Sequence, residues 1–399
     1  MKRILFVEDD ELVARIYEQK LRETGFEVFL AADGLEAVNQ LPEIRPDLVV
    51  LDILLPKLGG VDVLRSIRQN PQLKATPVIV LSNAFLNEAG QQLVALGVEE
   101  MLLKAEVSPA QLIESIRKVF TRTDIPAEPA PNLESPRPGE SKTEFFSRRE
   151  SAAEFSQRIR RDFYDQIPVI SETLNTSLKN FLEATDSFDR SSKLATLMRK
   201  VGFLTHMTGM AGCHRIAQLS SVLEALLMEL QEKAANINES TLQTTSATIG
   251  LLIECLARAD QADEQCLSPT TILVVDDDAV SNRALFLALS RYRLNATFVL
   301  DPFVALQRLR QNSYDIVLLD INLPGMDGIN MCEQMRNLPR HQHTPVIFIT
   351  SYLEFEPRAR SILRGGDDLI TKPILPIELT VKVISNSLKR RMMLSNPPR

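Results

Sequence analysis

Two kinds of apolar pattern alternate along the chain and divide it into three regions. Near both ends, short runs rich in Val, Ile and Leu, such as residues 4–7, 48–51 and 78–81, are separated by amphipathic stretches. Continuous apolar runs of this length are typical of strands that are covered on both faces of a parallel sheet. From about residue 144 to 262, apolar positions instead recur at helical spacing with a single proline, Pro168.

The two ends of the chain repeat each other. "PDLVVLDILLPKLGGVDVL" at 46–64 is similar to "YDIVLLDINLPGMDGINMC" at 314–332, and "TPVIVLSNA" at 76–84 is similar to "TPVIFITSY" at 344–352. Four pairs of polar residues are each 268 positions apart: Asp9 and Asp277, Asp52 and Asp320, Ser82 and Thr350, Lys104 and Lys372. This constant offset indicates that one kind of domain occurs twice.

Each copy alternates strand and helix, which predicts a doubly wound α/β domain with a parallel sheet of five strands in about 120 residues. The helical periodicity of the middle predicts an all-α bundle of four or five helices. Residues 124–140, "DIPAEPAPNLESPRPGE", hold five prolines and three glutamates and favour an extended linker. We therefore expect α/β domains at 1–121 and 270–392, a linker at 122–143, a bundle at 144–265 and a tail at 393–399.

Composition and charge narrow the range of functions. The formal net charge is −7 and the hydrophobic fraction is 44%. This balance argues against a large surface for nucleic acid or membrane, which needs clustered Lys and Arg. The four cysteines form no CxxC pair, the N-terminal apolar run is too short for a signal peptide, and no apolar run approaches a membrane span. We expect a cytoplasmic protein with free thiols.

Acidic residues follow the first and third predicted strands of each copy. They are Glu8, Asp9 and Asp52 in the first copy, and Asp276, Asp277 and Asp320 in the second. In such sheets ligands bind at the carboxyl ends of the strands, where these side chains converge. Three converging carboxylates repel one another unless a cation lies between them, and their hard oxygens suit Mg²⁺. Lys104 and Lys372, with the Ser82 and Thr350 hydroxyls, would suit an incoming oxyanion.

Both copies resemble response-regulator receiver domains, which have a flavodoxin-like fold. The resemblance covers about 240 of the 399 residues. It implies that Asp52 and Asp320 accept phosphoryl groups, that Ser82 and Thr350 are switch residues, and that Lys104 and Lys372 contact the phosphoryl group. It also implies an Mg²⁺ site formed by Glu8, Asp9 and Asp52 with the Leu54 backbone carbonyl, and a second one formed by Asp276, Asp277 and Asp320 with the Asn322 carbonyl.

The two copies depart from the family pattern at different points. The family usually has a proline after the lysine; Pro373 follows Lys372, where we expect a cis bond, but Ala105 follows Lys104. The family's aromatic switch residue is replaced by Met101 and Leu369. We expect the phosphorylation chemistry to survive these changes, whereas the usual aromatic readout is in doubt in both copies.

The middle resembles a histidine phosphotransfer domain, a four-helix bundle, that has lost its acceptor. When Gly212 is placed on the family's second glycine, Leu223 and Glu224 fall on its Leu-Glu pair, and the acceptor position falls on Gly202. His206 lies one helical turn later and is an alternative, displaced acceptor. We expect a degenerate bundle that holds or docks receivers. His341 and His343, in a polar loop, are expected to be solvated.

These features predict a response regulator without a DNA-binding or enzymatic output domain. The implied partners are sensor histidine kinases or phosphotransfer proteins and a downstream protein; receivers of this family also often form homodimers through their fourth and fifth helices. Three alternatives stay open: a phosphorelay through His206, a phosphate sink for a shared kinase, and a scaffold that needs no phosphorylation.

Overall fold

The N-terminal part of the chain folds as the predicted parallel sheet. Its strands are paired in the order β2-β1-β3-β4-β5, and every pair is parallel. The strands are β1 Arg3–Val7, β2 Glu27–Ala31, β3 Leu48–Asp52, β4 Val78–Ser82 and β5 Glu100–Leu103. The helices are α1 Glu11–Glu23, α2 Gly34–Ile44, α3 Gly60–Gln69, α4 Glu88–Ala95 and α5 Pro109–Arg122. This first α/β domain confirms the predicted fold class.

The sequence fixes where these elements begin and how they pack. Asp10 and Asp33 begin α1 and α2 by accepting hydrogen bonds from the backbone N–H groups of Val13 and Glu36. One apolar core lies between the sheet and α2, α3 and α4, while α1 contacts α5. Every residue of β3 is buried, as its unbroken apolar sequence predicts.

The middle of the chain is helical, as predicted. It consists of α6 Ala152–Leu182, α7 Ser187–Met210, α8 His214–Glu232, a 3₁₀ turn at Ala234–Asn236, and α9 Glu239–Leu256. Pro168 lies within α6 without ending it. Gly212 separates α7 from α8 with a φ of 77°, a left-handed conformation that favours glycine.

The C-terminal part of the chain forms the second α/β domain. Its sheet has the order β10-β9-β8-β6-β7 with all pairs parallel. The strands are β6 Ile272–Val275, β7 Ala296–Val299, β8 Ile316–Asp320, β9 Val346–Thr350 and β10 Asp368–Thr371. The described helices are α10 Ala279–Arg291, α11 Pro302–Gln311, α12 Gly328–Arg336 and α13 Pro376–Ser395. The last helix continues three residues past the expected domain end at 392.

The computed structural model describes residues 1–82, 88–104, 107–122, 152–259, 270–292, 294–350 and 366–395. Most of the expected linker therefore lies outside the described residues. The described residues fall into two units: one within Met1–Glu172, Arg199–Ser221 and Ala259–Gln265, the other within Thr173–Met198, Val222–Arg258 and Cys266–Arg399. None of the described helices is both long enough and apolar enough to cross a membrane.

His341 is buried, so the expectation that it is solvated is wrong. Its Nδ1 lies 3.1 Å from Thr344 Oγ1, and its Nε2 lies 3.0 Å from the carbonyl oxygens of Leu309 and Asn312. The ring closes the turn before β9 by joining it to the end of α11. Burial lowers the pKa of His341, which keeps the imidazole neutral.

Candidate functional site

The first α/β domain brings its predicted acidic residues together at the carboxyl edge of the sheet. Glu8 and Asp9 follow β1, and Asp52 ends the neighbouring β3; one ligand oxygen from each lies within 4.8 Å of the others. Lys104 Nζ, beyond β5, donates to Glu8 Oε2 and to Asp52 Oδ2, both at 2.8 Å. The Lys104 side chain is only 2% exposed. A buried ammonium group is thus held between two buried carboxylates.

The second α/β domain repeats this arrangement. Asp276, Asp277 and Asp320 also have ligand oxygens within 4.8 Å of one another. Lys372 Nζ donates to Asp276 Oδ2 at 3.0 Å and to Asp320 Oδ2 at 2.7 Å. Its side chain is 23% exposed, so the second pocket is more open at the lysine than the first.

The backbone after each central aspartate is fixed by glycine. The amide of Leu54 donates to Asp52 Oδ1 at 3.2 Å, and that of Asn322 donates to Asp320 Oδ1 at 2.9 Å. Gly60 donates its amide to the Ile53 carbonyl at 2.9 Å, and a Cβ at position 60 would collide with the Asp52 carbonyl. Glycine lets α3 begin directly against the aspartate-bearing loop. Gly328 has the same role in the second domain.

The predicted hydroxyl residues end the strands next to the central aspartates. Ser82 and Thr350 are buried at the ends of β4 and β9, and their carbonyls accept from the amides of Lys104 and Lys372 at 2.8 and 2.7 Å. The Lys372–Pro373 bond is cis, as expected. Ala105 lies outside the described residues. Met101 and Leu369, at the family's aromatic position, are both half-buried.

Burial and mutual repulsion perturb the acids of the first pocket. Burial raises the pKa of Glu8 to about 8, against the opposing effect of Lys104. Burial and the neighbouring Asp52 raise the pKa of Asp9 to about 6. Burial acts to lower the pKa of Lys104, but Asp52 and Glu8 outweigh it and raise that pKa. Two of the three acids thus share one ammonium group, and together the three offer a set of oxygen ligands that suits a divalent cation.

His206, the alternative acceptor of the sequence analysis, lies beside this pocket. Its Nδ1 is 3.9 Å from Glu8 Oε1, and its ring centroid is 6.0 Å from that of Tyr17. Burial and the nearby Lys104 hold the pKa of His206 well below its usual range, so the imidazole is neutral at pH 7. Gly202 lies one turn earlier in α7.

Two residues of the pockets were missed by the sequence analysis. Tyr17 of α1 is buried, stacks on Phe6 at 5.1 Å between ring centroids and faces His206. Ser281 donates its hydroxyl to Asp276 Oδ2 at 2.6 Å. The 268-residue offset places Ser281 opposite Val13, so a search restricted to shared polar residues passes over it. Tyr17 lies among the buried apolar positions of α1, so the sequence offers no signal that distinguishes it from a core residue.

A family model described as the response regulator receiver domain matches residues 4–117 and 272–384, which together make up more than half of the chain. The chain belongs to the response regulator receiver family. Both α/β domains are therefore receivers, and the resemblance that the repeat suggested is confirmed. The first receiver contains Asp52 and the second contains Asp320.

Two curated relatives and one solved structure each match a stretch about as long as one receiver. Alkaline phosphatase synthesis transcriptional regulatory protein PhoP of Bacillus subtilis is 33% identical over 127 residues, which are 32% of this chain and 51% of PhoP. The chain thus spans about half the length of that relative. Polar-differentiation response regulator DivK of Brucella anthropi is 30% identical over 116 residues, 29% of this chain and 94% of DivK. The chemotaxis response regulator CheY4 of Vibrio cholerae has a TM-score of 0.28 and 28% identity, over 30% of this chain and 98% of CheY4.

Proposed function

We propose that this chain is a two-component response regulator whose receivers accept phosphoryl groups on Asp52 and Asp320. The observation that carries the proposal is the duplicated pocket, in which a lysine ammonium group joins the central aspartate to an acid at the end of the first strand. Two pockets of the same chemistry in one chain favour a selected function over a chance cluster of acids.

Each pocket provides the side chains that the reaction with a phosphodonor needs. An oxygen of Asp52 attacks the phosphorus of the donor, a P–O bond to the carboxylate forms, and the bond from phosphorus to the donor breaks. Lys104, 2.8 Å from Asp52 Oδ2, is placed to pair with a phosphoryl oxygen. Ser82, at the end of the adjacent strand, supplies a hydroxyl that can move towards the phosphoryl group and donate a hydrogen bond to it, which would act as a switch. Thr350 and Lys372 are the counterparts around Asp320.

The acidic sets fit Mg²⁺, since each offers three carboxylates with ligand oxygens within 4.8 Å. Glu8, Asp9 and Asp52 would hold it in the first receiver, with the Leu54 carbonyl as a further ligand. Asp276, Asp277, Asp320 and the Asn322 carbonyl would hold it in the second. The ion would supply positive charge to offset the charge of the carboxylate and the transferring group.

We assign the output to protein contact. Sensor histidine kinases or phosphotransfer proteins are the proposed donors, and a downstream protein that recognises the phosphorylated state is the proposed target. A cytoplasmic location and a homodimer through receiver surfaces belong to the same proposal. The net charge of −7 supports protein partners over nucleic acid or membrane.

Phosphate counting by intact mass tests the proposal. The full chain is incubated with acetyl phosphate and Mg²⁺, and wild type is compared with Asp52→Asn, Asp320→Asn and the double variant. We expect two phosphates on wild type, one on each single variant and none on the double variant. Equal phosphate on all four proteins would contradict the assignment. Partner binding that is unchanged by both substitutions would favour a scaffold.

One observation favours a relay as a second candidate: the neutral His206 imidazole lies 3.9 Å from Glu8 of the first pocket. In a relay the phosphoryl group would move between Asp52 and a nitrogen of His206, as a P–O bond breaks and a P–N bond forms. Phosphohistidine survives base, whereas aspartyl phosphate does not. Base-stable phosphate that disappears in His206→Ala would support the relay. Rapid phosphate loss from one receiver, without a change in binding, would instead support a sink.

A further inference from the structure

The C-terminal turns of α7 are buried on all sides, which is unusual for a helix with polar side chains. The five consecutive residues 204–208, with the sequence LTHMT, are each at most 2% exposed. The hydroxyls of Thr205 and Thr208 return hydrogen bonds to α7 itself, at Val201 O and Leu204 O. His206, in contrast, points to the first receiver. We call residues 204–208 the α7 cover.

The α7 cover meets the first receiver at the rim of its acidic pocket. His206 lies between Glu8, a proposed metal ligand, and Tyr17 of α1. Beside this contact, a cavity of about 460 Å³ separates Leu12 and Ile16 of α1 from Ile159 of α6 and Met207. The contact between the α7 cover and the first receiver is therefore tight at His206 and loosely packed beside it. Such a contact can open without disrupting the core of the receiver or that of the helices.

The second receiver provides an internal comparison. Val280 and Ala284 occupy the positions of Leu12 and Ile16 in the repeat. Val280 is 77% exposed where Leu12 is 41% exposed, and Ala284 is exposed where Ile16 is half-buried. The pocket lysines differ in the same direction, at 23% exposure for Lys372 and 2% for Lys104. The same surface is thus more open in the second receiver than in the first.

We propose that the α7 cover is an intrachain inhibitor of the first receiver, in which His206 blocks the approach of phosphodonors to Asp52 until the cover lifts. The proposal rests on the proposed phosphorylation of Asp52 and goes beyond it. It makes the two receivers unequal: Asp320 reacts freely, whereas Asp52 reacts only in the fraction of molecules with the cover open.

The contact between the α7 cover and the first receiver contains an energetically unfavourable feature, which a cover that opens reversibly requires. Among the described residues, His206 Nε2 has no hydrogen-bond partner although it is buried. Burying a ring nitrogen without a partner costs free energy, which opening regains through water. A phosphodonor must displace the cover. If the closed cover also disfavours the phosphorylated form of Asp52, phosphorylation loosens the cover by the same free energy.

Two substitutions in the full chain test the proposal, each with Asp320→Asn so that phosphate reports on Asp52 alone. His206→Ala removes the blocking ring. Ile16→Glu places a charge on the covered face of α1, and Ala284→Glu makes the same change at the matching exposed position of the second receiver. Acetyl phosphate incorporation with Mg²⁺ is followed by intact mass, and hydrogen exchange of the α7 cover is measured before and after phosphorylation.

We expect His206→Ala and Ile16→Glu to accelerate phosphorylation of Asp52 at least fivefold, and Ala284→Glu to leave it unchanged. Phosphorylation of Asp52 should lower the exchange protection of the α7 cover. Wild-type rates in both test variants, with unchanged protection, would overturn the inhibitory role while leaving the proposed function intact. Base-stable phosphate on His206 would also overturn it, because the ring would then be an acceptor. No phosphate on Asp52 in any of these variants, while the chain with native Asp320 still takes up phosphate there, would refute the proposed function of the first receiver itself.

Discussion

Lys104→Met should expose how strongly the first receiver depends on its buried ammonium group. The substitution keeps most of the side-chain volume but leaves Glu8 and Asp52 buried together without their shared cation. Removing one partner of a buried ion pair costs about 3–5 kcal/mol of unfolding free energy. Lys372→Met is the matched control. Its lysine is 23% exposed, so water can partly replace it and the expected cost is about 1–3 kcal/mol.

The two receivers must be followed separately, because a chain of several domains does not unfold in one step. Hydrogen exchange of β1 and β3 reports on the first receiver, and exchange of β6 and β8 reports on the second. Measurements in EDTA and in excess Mg²⁺ separate the two cations, since a metal bound among the carboxylates should restore much of the loss. Equal losses in both receivers, or a loss at Lys104 that Mg²⁺ does not change, would refute this electrostatic reasoning.

Three further predictions follow from the pockets and the packing around them. Without Mg²⁺, the first receiver should lose stability as pH rises from about 4.5 to about 8, because Glu8 and Asp9 keep protons in the folded state that the unfolded chain releases. A rise in hydrogen-exchange protection over that pH range would contradict the predicted direction of the change. Gly60→Ala should slow Asp52 phosphorylation and lower stability, because its Cβ would collide with the Asp52 carbonyl. Gly59→Ala, whose Cβ would meet nothing within 4 Å, should change neither property. Equal effects of the two substitutions on phosphorylation rate and on stability would contradict this prediction. Glu378→Ala removes an acceptor of the Ser240 and Thr244 hydroxyls and should lower the free energy of opening, measured by hydrogen exchange of α9 and α13, by about 2–4 kcal/mol, unlike exposed Glu333→Ala. A loss of less than about 1 kcal/mol would contradict this prediction.

The sheets and their pockets could be predicted because their signals are local and repeated. A strand covered on both faces needs an unbroken apolar run, and the residue that follows it lies at the ligand-binding edge. The position of Asp52 directly after residues 48–51 therefore predicted both a buried strand and a site residue at its carboxyl end. The 268-residue offset then removed the ambiguity of any single acidic residue.

The environment of single histidines could not be predicted, because it depends on distant segments. His341 is buried through carbonyls of Leu309 and Asn312, about 30 positions earlier, which no local pattern indicates. His206 meets Glu8, a residue almost 200 positions away. The sequence showed an imidazole one helical turn after Gly202, but only the folded chain shows that this imidazole reaches the pocket rim of the first receiver.

Borohydride trapping tests the central claim most directly. Full-length protein is phosphorylated by acetyl phosphate with Mg²⁺, and borohydride then reduces each aspartyl phosphate to homoserine, which peptide mass spectrometry locates. The account predicts homoserine at position 52 and at position 320, and at neither position when Mg²⁺ is replaced by EDTA. Reduction at other acids, or at neither of these two in the presence of Mg²⁺, would contradict the assignment of both pockets as phosphoacceptor sites.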